Sequence, residues 1–397
     1  MLAAAAKRRG APKQAMRLSW SDKRFRGIAW QVLVVGSVAG VVFWLWHNTV
    51  TNLDARHIST GFAFLSREAG MPIADALIGY RPSDTYLRAL IIGVLNTLRV
   101  AVVGIILATL LGTAIGIARL SKNWLLAKVS AVYVEALRDV PLLLQLLFWY
   151  VVLQGLPAPR QALAPVGGVY LSNRGLLLPT IDWMPVHGWM LLAFVAGIAT
   201  TLVYRKRAHA RQMADGQPRR VWPAALLLIV GLPLAVSAAL QAPWTVRWPE
   251  LRGFNFTGGT ALSPEYVALL LALTTYTAAF IAEIVRAGIL SVSRGQWEAA
   301  QALGLRPRLI LARIVLPQAM RVVIPPLTSQ YLNLTKNSSL AVAIGYQDIV
   351  SVANTMLNQT GQAIEGIALI MLVFLTISLS ISLLMNWYNA RTALVER

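Results

Sequence analysis

Four charged side chains, Arg99, Glu283, Arg286 and Lys336, interrupt otherwise apolar stretches of this sequence. A Lys or Arg in the middle of a bilayer costs about 2.5–3.5 kcal/mol on insertion scales, so each needs a partner or a water-lined cavity. Lys336 lies in a polar run from Asn333 to Ser339. Helical spacing puts Thr335, Ser338 and Ser339 near one side of this run and Lys336 with Asn333 and Asn337 near another. Such a run can face a path through the membrane and offer donors to a carboxylate. Alternatively, Lys336 pairs with an acidic neighbour such as Glu283 and only holds helices together. Glu283 and Arg286 stand three residues apart, a spacing at which opposite charges meet on one helix face. They form a pair within the helix, or Glu283 lines the path while Arg286 touches the loop that follows. Arg99 is expected to reach polar groups of neighbouring helices, and Arg138 and Asp139 stand beside Pro141 at the start of another apolar stretch.

Other chemistries find no residues. No G-x-x-x-x-G-K-[ST] phosphate loop and no G-x-S-x-G nucleophile motif occurs, so neither ATP hydrolysis of the usual kind nor that form of acyl transfer is supported. His47, His57, His187 and His209 are too scattered for metal-ligand spacing, and there is no cysteine.

The elements that must position these charges follow from composition. Of 397 residues, 57% are hydrophobic and 13% charged, with mean hydropathy +0.60; a soluble chain carries about 25% charged residues. A net charge of +20 would suggest nucleic acid in a soluble protein, but with this apolar excess it points to basic residues gathered on one side of a membrane. Eight apolar stretches of about the roughly 20 residues a transmembrane helix needs lie near 28–47, 90–118, 140–157, 184–204, 222–241, 266–287, 322–345 and 366–389. With the N-terminus inside, 26 of the 36 Lys and Arg fall on the inner side and eight on the outer, which predicts eight spans with both termini cytoplasmic. The first apolar stretch is too long, and lacks a small-residue cleavage site, for a removed signal peptide. In the outer loop 48–89, Ile73, Ala74, Ala76 and Leu77 suggest a short surface helix.

Residues 291–320 predict two short helices between spans. Ser293 and Gln296 are spaced for a capping box, and Trp297, Ala300 and Leu303 recur on one face. Gly304 sits where a left-handed C-terminal cap belongs, Pro307 suits a first helical turn, and Pro317 is expected to end or kink the second helix. The result is a protruding knob of small residues or, alternatively, an amphipathic loop lying on the lipid surface.

Glu298-Ala299-Ala300, Gly304 three residues on, and Ile314-x-Leu316-Pro317 after nine more resemble the EAA signature of ABC-importer permease subunits. The resemblance implies a coupling loop that docks into a groove on an ATPase subunit, with Glu298, Ala299, Ala300, Leu303, Gly304 and Arg306 at the contact. Tyr276 to Ile289, Asn96-Thr97-Leu98, Arg138 to Leu143 and Thr335 to Leu340 are similar to the polar-amino-acid (histidine/glutamine/arginine) permeases. The length, the extra spans at about 184–241, and Thr257-Gly258-Gly259 before Leu262 to Glu265 resemble the larger permease subunits of general L-amino acid importers. Two departures stand out: Asp139 replaces the Gly or Asn often found after the Arg, and the extra spans have no counterpart in compact relatives.

The resemblance implies an all-α integral membrane protein with the type I ABC importer fold. Its parts are a basic tail (1–27), a first helix with a long outer loop (28–89), a permease domain (90–390) containing the coupling loop (291–320), and a short tail (391–397). The implied function is alternating-access import of L-amino acids across the bacterial inner membrane, by a chain that is not itself an enzyme. No cofactor is expected in this chain; ATP and Mg would be bound by two partner ATPase subunits. Further implied partners are a second permease (a paralogue, giving a heterodimer), a periplasmic amino-acid-binding protein and membrane lipid, with no nucleic acid. Glu283, Arg286, Thr335, Lys336, Asn337, Ser338, Ser339, Arg138 and Asp139 are the expected pathway or gate residues. The alternative function is an ion-coupled secondary carrier, although the sequence shows no paired helix interruptions of the kind such carriers use.

Overall fold

In a first long helix, α1 (Lys23–Ala55), no side chain of the apolar stretch Phe25–Asn52 is buried. The structure, a computed structural model, describes residues 20, 23–55, 61–217 and 220–392; most of the N-terminal basic tail and the last residues of the C-terminal tail lie outside them.

A loop then leads into α2 (Tyr86–Ala118), whose first turn is capped by the Thr85 hydroxyl. The segment at Ile73 to Leu77 is irregular, with bends at Ala74, Asp75 and Leu77, and not the expected helix. Its backbone bonds to a distant side chain instead: Ala74 N–H donates to Gln347 Oε1 and Gln347 Nε2 donates to the Pro72 carbonyl, each at 2.7 Å.

α3 (Trp124–Asp139), capped by Asn123, and α4 (Leu142–Gln154) are bent by 105° against each other. The expected clean span at 140–157 is therefore corrected. α4 has 13 residues, about 20 Å at 1.5 Å per residue, too short for the roughly 30 Å hydrocarbon core. Pro141 supplies no N–H and forces Val140 into extended conformation (φ −91°, ψ 127°), so the helix breaks there. Among the described residues, seven helices are long and apolar enough to span, or eight if the bent pair counts as one.

The two loops flanking the extra hairpin carry β-structure that apolar patterning did not reveal. β1 (Leu163–Val166), β2 (Val169–Ser172), β3 (Gly175–Leu178) and β4 (Thr180–Ile181) precede it; β5 (Val246–Arg247), β6 (Glu250–Arg252), β7 (Asn255–Thr257) and β8 (Thr260–Leu262) follow. One sheet has the order β1-β2-β3-β8, all antiparallel, and β4–β5 and β6–β7 form two more pairs. The hairpin between them consists of α5 (Pro185–Asp215), then α6 (Trp222–Leu226) and α7 (Leu232–Ala239) joined by a π turn. It packs chiefly on itself: a Cβ on Gly197 would lie 2.0 Å from the Leu228 carbonyl oxygen.

The centre of the bundle is α8 (Pro264–Leu290), followed by α9 (Arg294–Ala302) and α10 (Pro307–Ile310). Then come a π turn (Leu311–Val315), α11 (Leu316–Asn337), a 3-10 turn (Ser338–Ile344), α12 (Ile349–Thr360) and α13 (Ala363–Thr392). Pro317 does not end the helix. The π turn just before it widens the hydrogen-bond ring where the missing N–H would break an ordinary turn.

α2 and α8 meet through small residues. A Cβ on Gly112 would come within 2.7 Å of the Ala278 carbonyl oxygen, and one on Gly116 within 2.7 Å of the Ala282 carbonyl oxygen. Four-residue spacing of small groups on both helices lets the backbones touch, the association mode that works where lipid removes the hydrophobic drive. At Gly104, farther along the same helix, a Cβ would meet flexible side-chain ends, Leu334 at 3.3 Å and Leu270 at 3.8 Å. Overpacking costs about 1–3 kcal/mol, so Gly112→Ala is expected to lower the melting temperature in detergent clearly more than Gly104→Ala. Equal melting temperatures, read by size-exclusion after heating, would remove the seam from the account.

Candidate functional site

The knob at 291–306 is built around its own small core. Ala300, Val292, Ile310, Val315 and Ala319 are buried together, with Trp297, Leu305 and Ile314 packed against them. Gly304 takes the left-handed conformation (φ +70°), its N–H donating to the Gln301 carbonyl (2.9 Å) while Leu305 N–H donates to that of Ala300 (3.3 Å). This is the Schellman closure, in which a residue beyond the helix packs back on the last turn. It explains a correction: Leu305 packs inward, and Leu303, expected on the Trp297–Ala300 face, is 78% exposed. Glu298, Ala299, Ala302 and Arg306 are exposed with it. A second correction concerns Ser293. Its side chain makes no cap hydrogen bond; Gln296 N–H donates to the Ser293 carbonyl at 3.1 Å, and Gln296 Oε1 accepts from Gln318.

At this end of the bundle Glu283 is gripped from two sides. Arg286 donates to both of its oxygens (2.6 and 3.2 Å), and Arg119, at the end of α2, makes a close ion pair. The partner of Glu283 is therefore not Lys336. Arg119 was not singled out from sequence because nothing local links it to a residue on another helix. Arg138 lies over the Phe280 ring at 5.2 Å, while Asp139 is exposed at the break. The break itself is held by Gln145, also unforeseen, whose Nε2 donates to the Leu137 and Val140 carbonyls (2.8 and 2.9 Å).

The polar run of α11 divides differently from its expected faces. Thr335 and Ser338 are fully buried, their hydroxyls donating to the Tyr331 and Thr335 carbonyls (2.9 and 2.7 Å). They are thus committed to the helix backbone where it tightens into the 3-10 turn. Lys336 and Ser339 line a cleft of about 400 Å³ with Asn354 on α12; Asn337 is half-buried.

At the opposite end, Asn96 and Thr97 tie α2 to the turn after α11. Asn96 Nδ2 donates to the Asp75 and Gln347 carbonyls (2.7 and 2.9 Å), and Thr97 Oγ1 accepts from Ile349 N–H (3.1 Å). Arg99 rests 4.1 Å from the centre of the Tyr266 ring. Asp348 caps α12 through Ser351 N–H (2.9 Å); it is fully buried and its Oδ2 has no hydrogen-bond partner. Burial pushes its carboxyl from 3.8 up to about 7, against the opposing pull of backbone N–H donors at Ser351 and Val350.

The described residues thus form a bundle of helices long and apolar enough to span a membrane, with an internally packed knob at one end. Residues 229–394 match the family described as binding-protein-dependent transport system inner membrane component. The chain is 53% identical over 386 residues to the putative amino-acid ABC transporter permease protein YhdX of Escherichia coli (strain K12), covering 96% of this chain and 97% of the relative. It is 49% identical over 385 residues to the general L-amino acid transport system permease protein AapQ of Rhizobium johnstonii, covering 96% of each. With the glutamate/glutamine/aspartate/asparagine transport system permease protein BztB of Rhodobacter capsulatus it shares 44% identity over 423 residues, covering 97% of this chain and 98% of the relative. One solved structure, described as an amino acid ABC transporter with histidines, aligns with 77% of this chain and 95% of its own at TM-score 0.46 and 20% identity.

The chain belongs to the amino-acid ABC transporter permeases. It is a multi-pass inner-membrane permease subunit of an ABC importer, and the relatives named above do not support an ion-coupled carrier.

The buried Asp348 carries a pH signature. Its folded carboxyl keeps a proton up to about pH 7, whereas the unfolded chain loses it near 3.8. Between those values the unfolded state binds fewer protons, so stability falls as pH rises. Asp348→Asn keeps the cap and is expected to flatten that slope in melting temperature against pH; an unchanged slope would assign it to other groups.

Proposed function

We propose that this chain forms half of the pathway of an importer for L-amino acids, with the knob around Glu298 as its contact with a nucleotide-hydrolysing partner. The observation that carries this reading is the division of the knob: Ala300 and Leu305 are inside, while Glu298, Ala299 and Leu303 are presented outward on a helix closed by Gly304. A small, internally packed body of this kind transmits displacement without deforming. ATP and Mg are held by two ATPase subunits that dock there, and this chain carries no catalytic residue. The names of AapQ and BztB support polar or general L-amino acids as substrates. The paired names among glutamate/aspartate import permeases, GltK and GltJ, support a second, paralogous permease, and the family description supports a periplasmic binding protein.

In this reading the knob end and both termini are cytoplasmic, in keeping with the basic excess on that side. Closure of the ATPase pair moves the knob, and α8 and α11 re-pack to change which side is open. Lys336, with Ser339 and Asn337 beside it, faces the path, and the Arg119–Glu283–Arg286 cluster with Arg138 and Asp139 forms the inner gate.

Glu298→Lys is expected to assemble normally and to lose ATP hydrolysis stimulated by the loaded binding protein; undiminished stimulation would refute the coupling role. Lys336→Met is expected to slow uptake about tenfold, the loss of one charge-assisted hydrogen bond. Ser338→Ala, whose hydroxyl is spent on the Thr335 carbonyl, is expected to leave uptake unchanged. Vesicle uptake with radiolabelled amino acids reads both.

A further inference from the structure

At the end of the bundle away from the knob, the loop before α2 crosses the ends of α8 and α11 as a strap. Four side-chain hydrogen bonds fix it. Gln347 bonds Pro72 and Ala74, Asn96 holds the Asp75 carbonyl, and Ser263, the cap of α8, bonds the Asp75 carboxylate. Between strap and helices lies a cleft of about 370 Å³, within the range of small-molecule sites.

Its ionisable lining is acidic. Asp75 and Glu265 both face it, and no Lys, Arg or His lines it. Ser263 occupies one oxygen of Asp75 and Tyr150 one oxygen of Glu265 (3.2 Å), which leaves each carboxylate a second oxygen for a donor. Arg99 stacks on the Tyr266 ring and is not among the cleft-lining residues, although its charge is felt at Tyr346. A second, independent feature is Tyr346, which lines the same cleft, is 2% exposed, and has a hydroxyl without a hydrogen-bond partner. Burial first, then the Asp75 charge, raise that hydroxyl's pKa against the opposing pull of Arg99, so it remains protonated and can donate. Two like charges sharing a cleft destabilise each other unless a cation enters, and buried polar groups without partners mark a missing ligand or water.

We propose that this cleft binds the ammonium group of a free amino acid between Asp75 and Glu265, as a site at the distal mouth of the permease. The Tyr346 hydroxyl is the donor within reach for the same ligand's carboxylate. The inference rests on the amino-acid permease reading. It assigns the strap, which no apolar pattern explains, to recognition of the group that all free amino acids share.

The chain has no cysteine, so Ala74→Cys places a single reporter in the cleft lining. In the permease–ATPase complex in lipid nanodiscs, without binding protein, labelling by an impermeant maleimide is followed with L-glutamine, L-glutamate and their N-acetyl derivatives, in choline chloride. The free amino acids are expected to slow labelling and the acetylated forms to leave it unchanged. Glu265→Gln is expected to raise the half-protecting concentration about tenfold. Equal protection by the acetylated forms, or no protection by the free ones, overturns the site; so does equal protection by potassium chloride, which would make the occupant an inorganic cation. Uptake by the same reporter complex, reconstituted in sealed vesicles with binding protein and ATP, is measured in parallel. Uptake without protection defeats the site alone, whereas absence of amino-acid uptake by the wild-type complex defeats the permease reading. The comparison of free with acetylated ligand decides the matter even if Glu265→Gln fails to assemble.

Discussion

The architecture depends on the contact between α2 and α8. Gly112 and Gly116 face the carbonyls of Ala278 and Ala282 at distances no side chain would permit, so the two backbones lie against each other over the last turns of α2. In lipid, apolar burial gives little reason for helices to associate, and close backbone packing supplies much of what remains. That contact also sets where the ends of α2 fall. Just beyond Gly116 it delivers Arg119 to Glu283, and at the other end it brings Asn96 and Thr97 to the turn at Gln347 and Ile349. The inner ion cluster and the outer polar ties are thus consequences of one seam.

The sequence made the spanning helices legible because charge-poor stretches of about the required length are unmistakable in a bilayer protein. The knob was legible for a local reason. Gly304, Pro307 and the small residues near Glu298 each obey rules that operate within a few residues. What escaped was non-local. Thr335 and Ser338 looked like pathway donors, yet their hydroxyls are committed to carbonyls one turn back, which only the burial of that helix face reveals. Arg119 and Gln145 have no sequence neighbour that predicts their partners. The strap at Ile73 to Leu77 carries residues compatible with a surface helix, but Gln347, more than 270 residues away, bonds the Ala74 N–H and the Pro72 carbonyl and holds the segment in an irregular, bent form. The β-hairpins did leave a trace in Gly167–Gly168 and Gly253–Phe254, two-residue turns between short strands; the apolar scan had no means of registering it.

α8 and α11 differ in stiffness, and the difference is written in their prolines. α8 runs 27 residues, about 40 Å, with its one proline in the first turn, where the missing N–H has no intrahelical partner to lose. Its first residue follows the Ser263 cap that bonds the strap, and its last leads straight into the knob. α11 carries Pro325 and Pro326 in its interior, a π turn before it and a 3-10 turn after it. Departures of this kind locate bends in helices. α8 is therefore built as a rod joining both ends of the bundle, and α11 as the element that can change shape beside it.

The extra helices fit this division by their position outside it. α5 to α7 pack chiefly against one another, and α1 stands exposed along its length, so neither lies on the line from strap through α8 to knob. The β-structure that flanks the hairpin does touch that line, since β3 pairs with β8 and β8 runs directly into the cap of α8. A ladder hydrogen-bonded to the start of a rigid helix moves with it. The strands at the base of the hairpin thus connect it to the start of α8, while its own helices pack chiefly on one another.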